Sequence, residues 1–330
     1  MTALPSAATS LRPLRECVVV VTPRSYGLHD DTLRRELEAA VGEVRYRPGP
    51  LASDALAELV GDADGLLAGL DEITEEVFAH APRLRVVARY GVGVDRVDLD
   101  AAARHHVTVT TTPGANANAV AELTIALVLA LARPVAAGRD RARAGEWPAL
   151  PGLELRGRTI GLLGLGRIGS LVAEKARALG MRVLATDPFV AENGLAELVD
   201  LDSLAAESDV LSLHCPLTDE TRGIVGPTLL ARVKPGAALV NTARGELVDE
   251  AALVEALDEG PLRAAALDVL AEEPPPAGHP LLGRDDVLVT PHMGPHTAEA
   301  TTAMGRIALD ELLAVLSGRP PRFPVEVEGR

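Results

Sequence analysis

From Cys17 onward, short apolar runs alternate with amphipathic stretches. CVVVVT is followed by TLRRELEAAV, EVRYR by SDALAELV and GLLA by TEEVFAHA, and LRVVAR closes the series. Strand-like runs spaced by helical periods predict βαβ units and a parallel sheet. A second alternation begins after residue 105. It opens with a long helix expected over Ala119 to Ala132 and crosses a Gly/Pro-rich loop, GEWPALPG. It then presents TIGLL, RVLAT, DVLSLH, AALVN, AAALDV and VLVT, with helical stretches between most of them. The last segment, TAEATTAMGRIALDELLAVLSG, reads as one amphipathic helix stopped by Gly318 and Pro320. Residues 1–15 read as a loose lead-in.

The fold class that follows is α/β, with two doubly wound parallel-sheet domains. A long helix at each crossover makes the first domain discontinuous, over residues 1–106 and 296–330, with 107–295 inserted. The length agrees, since 330 residues exceed what one hydrophobic core usually holds. The chain is 47% hydrophobic but only 2% aromatic, so Ala, Leu and Val must fill the cores.

Charge narrows the partners. A formal net charge of -15 repels phosphate backbones and anionic lipid, which argues against nucleic acid and membrane surfaces. A small anionic substrate then needs a local cationic pocket. Cys17 and Cys215 cannot make a disulfide framework, which fits a reducing compartment. The first residues hold no apolar stretch of signal-peptide length. The greasiest helix candidate, Leu123 to Ala132, is about half a bilayer span. The expected location is the cytoplasm.

One loop changes the picture. GLLGLGRIGS sets Gly164, Gly166 and Gly169 in a G-x-G-x-x-G spacing between the strand-like TIGLL and a helical stretch. Alone the spacing is weak. In this context the missing side chains let backbone approach a pyrophosphate, and the helix N-terminus offers N–H groups and partial positive charge. Asp187, at the end of the next strand-like run, can accept hydrogen bonds from the adenosine ribose hydroxyls. It would repel a 2′-phosphate, and no arginine follows in DPFV, so NAD is favoured over NADP as cofactor. This makes 107–295 a Rossmann domain. The plainer reading is an ordinary strand–turn–helix with a solvent-facing Asp187.

Three later strand ends carry polar groups: Arg244 after AALVN, Asp268 and Glu273 after AAALDV, and His292 after VLVT. In an open parallel sheet, ligands sit beyond the carboxyl ends of the strands. Removing a hydride from C2 of a hydroxy acid requires the hydroxyl proton to leave too, and imidazole titrates near neutral pH. A carboxylate on the other ring nitrogen fixes the tautomer, and a guanidinium holds the substrate carboxylate. The plainer readings are a helix-capping Arg244, a solvated Glu273 and a satisfied strand-end His292. Three such coincidences on successive strands make the weaker account.

These motifs, with RYGVGVDRVDL, TPGANANAVAEL, HCPLTDETRG, NTARGELVDEAAL, ALDVLAEEP and TPHMG, resemble the NAD-dependent D-2-hydroxyacid dehydrogenases. The resemblance runs from about residue 17 to the end and is nearest the bacterial phosphoglycerate dehydrogenase-like branch. It implies a Rossmann domain inserted in a flavodoxin-like substrate-binding domain, and a homodimer. It implies substrate binding by Arg244 and acid/base work by His292 paired to Glu273. It places Asp268 near the nicotinamide carboxamide, and adds Arg167, Ile168, His214, Pro216 and Thr242 to the cofactor site. Backbone N–H groups of Val92 and Gly93 would grip the substrate carboxylate, with Asn116 close to the active site and closure of the two domains excluding water.

There are departures. Gly69-Leu70 stands where an arginine is expected in one phosphoglycerate-type loop. Arg24, with Arg89, is expected to take over binding of a second anionic group. Salt bridges within the fold are the alternative use of both. His296 occupies a position that is usually small, either lining the pocket or starting the last helix. A metal held by His292 and His296 lacks a third ligand, so none is expected. Arg96 replaces a common Asn, and the loop after Trp147 is short. Open functional alternatives are a glyoxylate or hydroxypyruvate reductase and, in another class, an NAD-sensing interaction scaffold without turnover.

Overall fold

The computed structural model describes residues 12–326. These fall into two compact units. One takes the chain as far as Asn116 and resumes at His296; the other is Ala117–Pro295. Of the expected lead-in, residues 1–11 lie outside the described residues. From Arg12 the chain is held, with Arg12 Nη1 donating to Asp64 Oδ2 at 3.1 Å.

The first unit contains β1 (Val18–Val21), β2 (Glu43–Tyr46), β3 (Gly65–Ala68), β4 (Val86–Arg89) and β5 (Thr108–Thr110). They form one sheet in the order β2-β1-β3-β4-β5, with every pair parallel. Val20, Leu66 and Val87 pack on one face against Leu56, Val77 and Phe78 from two helices. Val19, Val21, Leu67 and Val86 pack on the other against Leu33, Leu37, Leu309 and Leu312. Because both faces are covered, β1 and β3 are apolar throughout rather than alternating, and so is β4 up to its last residue, Arg89. The last helix, Ala298–Leu316, supplies part of that second face, which is why the chain must return to this unit.

The expected boundary at 106 moves to 116. Thr108–Thr110 pairs with β4 and Val109 joins the core, so the chain completes this sheet before leaving it. A three-residue strand of threonines and one valine shows too little pattern to be read from sequence.

The second unit holds β6 (Thr159–Leu163), β7 (Arg182–Thr186), β8 (Glu197–Leu198), β9 (Val210–Leu213), β10 (Ala237–Asn241), β11 (Leu262–Leu267) and β12 (Val287–Val289). Their order is β12-β11-β10-β9-β6-β7-β8, again all parallel. The order reverses between β6 and β9, the switch point where doubly wound sheets bind ligands. Leu163, Leu213, Leu239 and Leu267 pack on one face and Ile160, Leu162, Val240 and Ala266 on the other. The helix Ala117–Ala132 buries Leu127 and Val128 in this second core. After it comes a helix the apolar pattern does not announce, Val135–Arg143, which buries no residue.

No single helix among the described residues is long and apolar enough to cross a membrane. Ala117–Ala132 and Val135–Arg143 together have the length, but the chain bends by 61° between them.

Candidate active site

The register of the second sheet sets its functional edge. Thr186, Leu163, Leu213, Asn241, Leu267 and Val289 are successive partners and form one row across six strands. The next residue of each strand therefore leaves the sheet at the same level. Those residues are Asp187, Gly164, His214, Thr242, Asp268 and Thr290. Five of the six are residues that sequence reasoning singled out.

At the switch point, Gly164 has φ +100, and a Cβ there would meet His214 C and Cys215 N at 2.7 Å. Only glycine lets the β6 and β9 ends approach so closely. A Cβ on Gly169 would lie 2.2 Å from Gly164 O, so the third glycine seats the helix on the turn. Gly166 differs: nothing lies within 4 Å of a Cβ built there, and it caps the helix Arg167–Ala178 with exposed backbone. That open, helix-N-terminal cradle suits the pyrophosphate of a dinucleotide. Asp187 is not simply solvated. Its Oδ2 accepts Leu165 N–H at 2.8 Å and its Oδ1 accepts Phe189 N–H at 2.9 Å, tying the glycine loop to the end of β7. Arg167 and Pro216 are exposed and Ile168 half-buried around this mouth.

His214 lines the same crevice in neutral form. Burial pushes its pKa down to about 3, and its Nε2 lies 2.9 Å from Ser212 Oγ. Cys215 is a thiol rather than a thiolate, since burial raises it to about 11.

His292 Nδ1 lies 2.7 Å from Glu273 Oε2, and both side chains are about one-fifth exposed (22% and 21%). The second oxygen, Oε1, accepts Leu270 N–H at 3.1 Å, which orients the carboxylate. His292 itself has φ 48, a left-handed conformation that costs a non-glycine residue about 1 kcal/mol or more. Its backbone N–H holds it there by donating to Asp268 O at 2.8 Å and Thr290 O at 2.9 Å. The buried Asp268 side chain clamps the rest of the turn. It accepts Thr290 Oγ1 at 2.6 Å, Met293 N–H at 2.9 Å and Gly294 N–H at 2.8 Å. Sequence reasoning gave Asp268 to the cofactor alone; here both its oxygens also build the His292 turn.

Arg244 follows β10 and donates from Nη1 to Ala243 O at 2.7 Å. Asn241 fixes this turn, its Nδ2 donating to Arg244 O and its Oδ1 accepting Ala243 N–H. A Cβ on the next residue, Gly245, would sit 2.0 Å from Leu270 C. The Arg244 turn thus lies flush against the segment that leads to Glu273. Thr242, nearly buried, has Oγ1 2.9 Å from Thr124 Oγ1. Thr124 was missed by sequence reasoning, although a threonine inside the apolar LTIALVLALA is a legible signal.

In the first unit Arg89 is 5% exposed. It donates from Nε to Gly93 O at 3.0 Å and from Nη1 to Ala68 O at 3.1 Å, bracing the exposed Val92–Gly93 turn from below. These two carbonyl contacts are a use of Arg89 that the sequence does not announce. Arg24 is exposed in the turn after β1 and makes no ion pair among the described residues. Asn116 ends the first unit. His296 is exposed, and the N-cap of the last helix is its neighbour Thr297, whose Oγ1 accepts Ala300 N–H.

A family model described as the NAD binding domain of the D-isomer specific 2-hydroxyacid dehydrogenases matches residues 125–294, more than half the chain. The chain belongs to this family. As a family member it is 43% identical over 318 residues to a D-3-phosphoglycerate dehydrogenase of Methanocaldococcus jannaschii. That match covers 92% of this chain but 60% of the relative, so the chain spans about three-fifths of that protein's length. A glyoxylate reductase of Aeropyrum pernix is 43% identical over 291 residues, covering 84% of this chain and 86% of that protein. Among solved structures, the TT0316 protein from Thermus thermophilus superposes with a TM-score of 0.86 at 44% identity, covering 94% of this chain and all of that one. The fold, the family and the NAD-binding domain expected from the glycine loop all agree with these likenesses.

Proposed function

We propose that this protein is an NAD-dependent D-2-hydroxyacid dehydrogenase acting on a small 2-hydroxy or 2-oxo acid. The observation that carries the reading is the 2.7 Å contact of His292 Nδ1 with Glu273 on the edge that bears the glycine loop. Glu273 accepts the proton on Nδ1, so the proton exchanged with substrate is the one on Nε2. In oxidation the substrate hydroxyl proton passes to Nε2 as C2 loses hydride; in reduction Nε2 returns it as C2 gains hydride. The nicotinamide, when bound, supplies the hydride partner. Arg244 carries the positive charge that binds the substrate carboxylate and polarises the reacting oxygen. Val92 and Gly93 N–H groups take the carboxylate as well, and Arg89 keeps their turn in shape. Asn116 and His296 are read as further substrate contacts.

A doubly anionic, phosphoglycerate-like substrate is supported by Arg24, an exposed guanidinium without an ion pair among the described residues. A second reading has its own support. Gly69-Leu70 lacks the arginine of the phosphoglycerate-type loop, and the glyoxylate reductase relative is matched over most of its length, so glyoxylate or hydroxypyruvate is the alternative substrate. Exposed Val135, Leu150 and Trp147, the last 92% exposed, lie in the region that the family resemblance gives to a homodimer contact. Two free thiols support a cytoplasmic setting.

The test is NADH consumption with 3-phosphohydroxypyruvate, hydroxypyruvate, glyoxylate, pyruvate and phosphonopyruvate. A preference for phosphorylated acids that R24A removes supports the doubly anionic substrate; preference for glyoxylate or hydroxypyruvate supports the second reading. NADH binding without turnover of any acid overturns both and favours an NAD-sensing scaffold.

A further inference from the structure

Behind the Glu273–His292 pair stands a second acid–imidazole pair that the reaction as derived does not use. Glu250 Oε2 lies 3.1 Å from His279 Nε2, and Glu250 Oε1 accepts the N–H of Ala271 at 3.0 Å. Glu250 begins the helix Glu250–Asp258, but that helix is capped by Asp249, whose carboxylate accepts Ala251 and Ala252 N–H. The Glu250 carboxylate is therefore not needed by its own helix. It reaches instead to the segment that ends in Glu273.

The imidazole fixes that carboxylate. His279 is 9% exposed, and its Nδ1 lies 3.4 Å from Leu281 N–H, facing a donor. An accepting Nδ1 leaves the proton on Nε2, where it points at Glu250. A buried imidazole and a backbone N–H thus hold the two carboxylate oxygens, one each.

In the segment Leu270–Glu273, Leu270 is buried while Ala271 and Glu272 are exposed, so discrete contacts hold it. On one side Gly245 packs so closely that a single methyl would overlap Leu270 C and Ala271 N. Within the segment, Leu270 N–H donates to Glu273 Oε1. The remaining freedom is movement away from Gly245, which the Ala271–Glu250 bond opposes. This segment carries Glu273 to its contact with His292.

We propose that Glu250, oriented by His279, is a positioning residue for the Glu273–His292 pair. The proposal rests on the dehydrogenase reading for its kinetic consequence but not for its geometry. Loss of the Glu250 carboxylate releases Ala271 N–H and lets Glu273 drift from His292. The glycine loop follows β6, several strands away, so dinucleotide binding is spared.

The experiment compares wild type, E250Q, E250D and E250A. E250Q keeps an acceptor for Ala271 N–H, E250D withdraws it by one methylene, and E250A removes it. A misplaced acid/base pair lowers kcat in E250A by about tenfold to hundredfold, with NADH affinity within about twofold of wild type and E250Q within about threefold in kcat. A purely structural role lowers NADH affinity, thermal midpoint and kcat together, and that result overturns the proposal.

A second readout does not need turnover. In protein labelled with nitrogen-15 at histidine, the Nδ1 proton of His292, assigned by its loss in H292Q, is expected to be protected in wild type and E250Q and exchange-broadened in E250A and E250D. The same protected signal in all four variants contradicts the positioning role. If wild type reduces no acid, the dehydrogenase reading fails by itself and this signal still decides the role of Glu250.

Discussion

The carboxylate of Asp268 accepts the backbone N–H of Gly294 at 2.8 Å, closing the turn on which His292 sits. With Met293 N–H and Thr290 Oγ1 on its other oxygen, one buried side chain holds both flanks of the histidine. Replacing Asp268 by Ala leaves two backbone donors without their acceptors, at a cost of about 2–4 kcal/mol. D268A is expected to lose that much in urea unfolding, and to lose activity beyond what its remaining folded fraction explains. Wild-type stability in D268A contradicts the clamp.

Two glycines separate folding from cofactor binding. A Cβ on Gly245 overlaps Leu270 backbone at 2.0 Å, whereas a Cβ on Gly166 meets nothing within 4 Å. G245A is expected to lower the thermal midpoint of the dinucleotide-free protein. G166A should leave that midpoint alone and weaken NADH binding at least about tenfold, since its methyl fills the pyrophosphate cradle. Calorimetry and NADH titration of the two variants read this directly. A stable G166A that still binds NADH as tightly as wild type removes the cradle from the account.

The Asp187 oxygens accept Leu165 and Phe189 N–H, and the proposed second use of this carboxylate is to meet the adenosine ribose. D187N keeps the shape and removes the charge. The expected result is a fall in NADH affinity by about tenfold and a smaller gap between NADH and NADPH, because a 2′-phosphate no longer meets a carboxylate. An unchanged preference places the discrimination elsewhere.

His214 makes stability depend on acid. Its folded pKa is depressed to about 3 by burial, below the ordinary value of 6.5, so the unfolded chain binds the extra proton as pH falls between those values. The stability held by neutral His214 is present above pH 6.5 and is lost toward pH 3, with a limiting slope of about 1.4 kcal/mol per pH unit for one proton. Urea unfolding of wild type and H214Q from about pH 7 to about pH 4 tests this. The H214Q curve should be the flatter one; parallel curves contradict the assignment.

Much of this was legible in the chain. The apolar runs mark the strands, and because the register row ends at Thr186, Leu163, Leu213, Asn241, Leu267 and Val289, the residue after each run falls on one edge. That is why Asp187 and Asp268 could be named from the pattern, while His214 and Thr242 came with the family resemblance. Relations between distant loops were not legible. Gly245 reads as part of a motif, but its contact with Leu270 depends on how the β10 and β11 ends meet. Glu250 and His279 lie in a helix start and a loop whose pairing no local pattern encodes. Arg89 precedes the Val92–Gly93 turn in sequence, but its bonds to the Gly93 and Ala68 carbonyls depend on how β3 and β4 pair. The boundary at 116 escaped for the same reason: β5 is too short to be seen until β4 pairs with it.

The central claim is that His292, held by Glu273, exchanges the proton that accompanies hydride transfer. The most direct measurement is single-turnover NADH oxidation by H292Q with the best 2-oxo acid, beside NADH binding by fluorescence. Loss of the general acid should slow the hydride step at least about a hundredfold while NADH affinity stays within about twofold of wild type. Turnover at the wild-type rate in a folded, NADH-binding H292Q contradicts it.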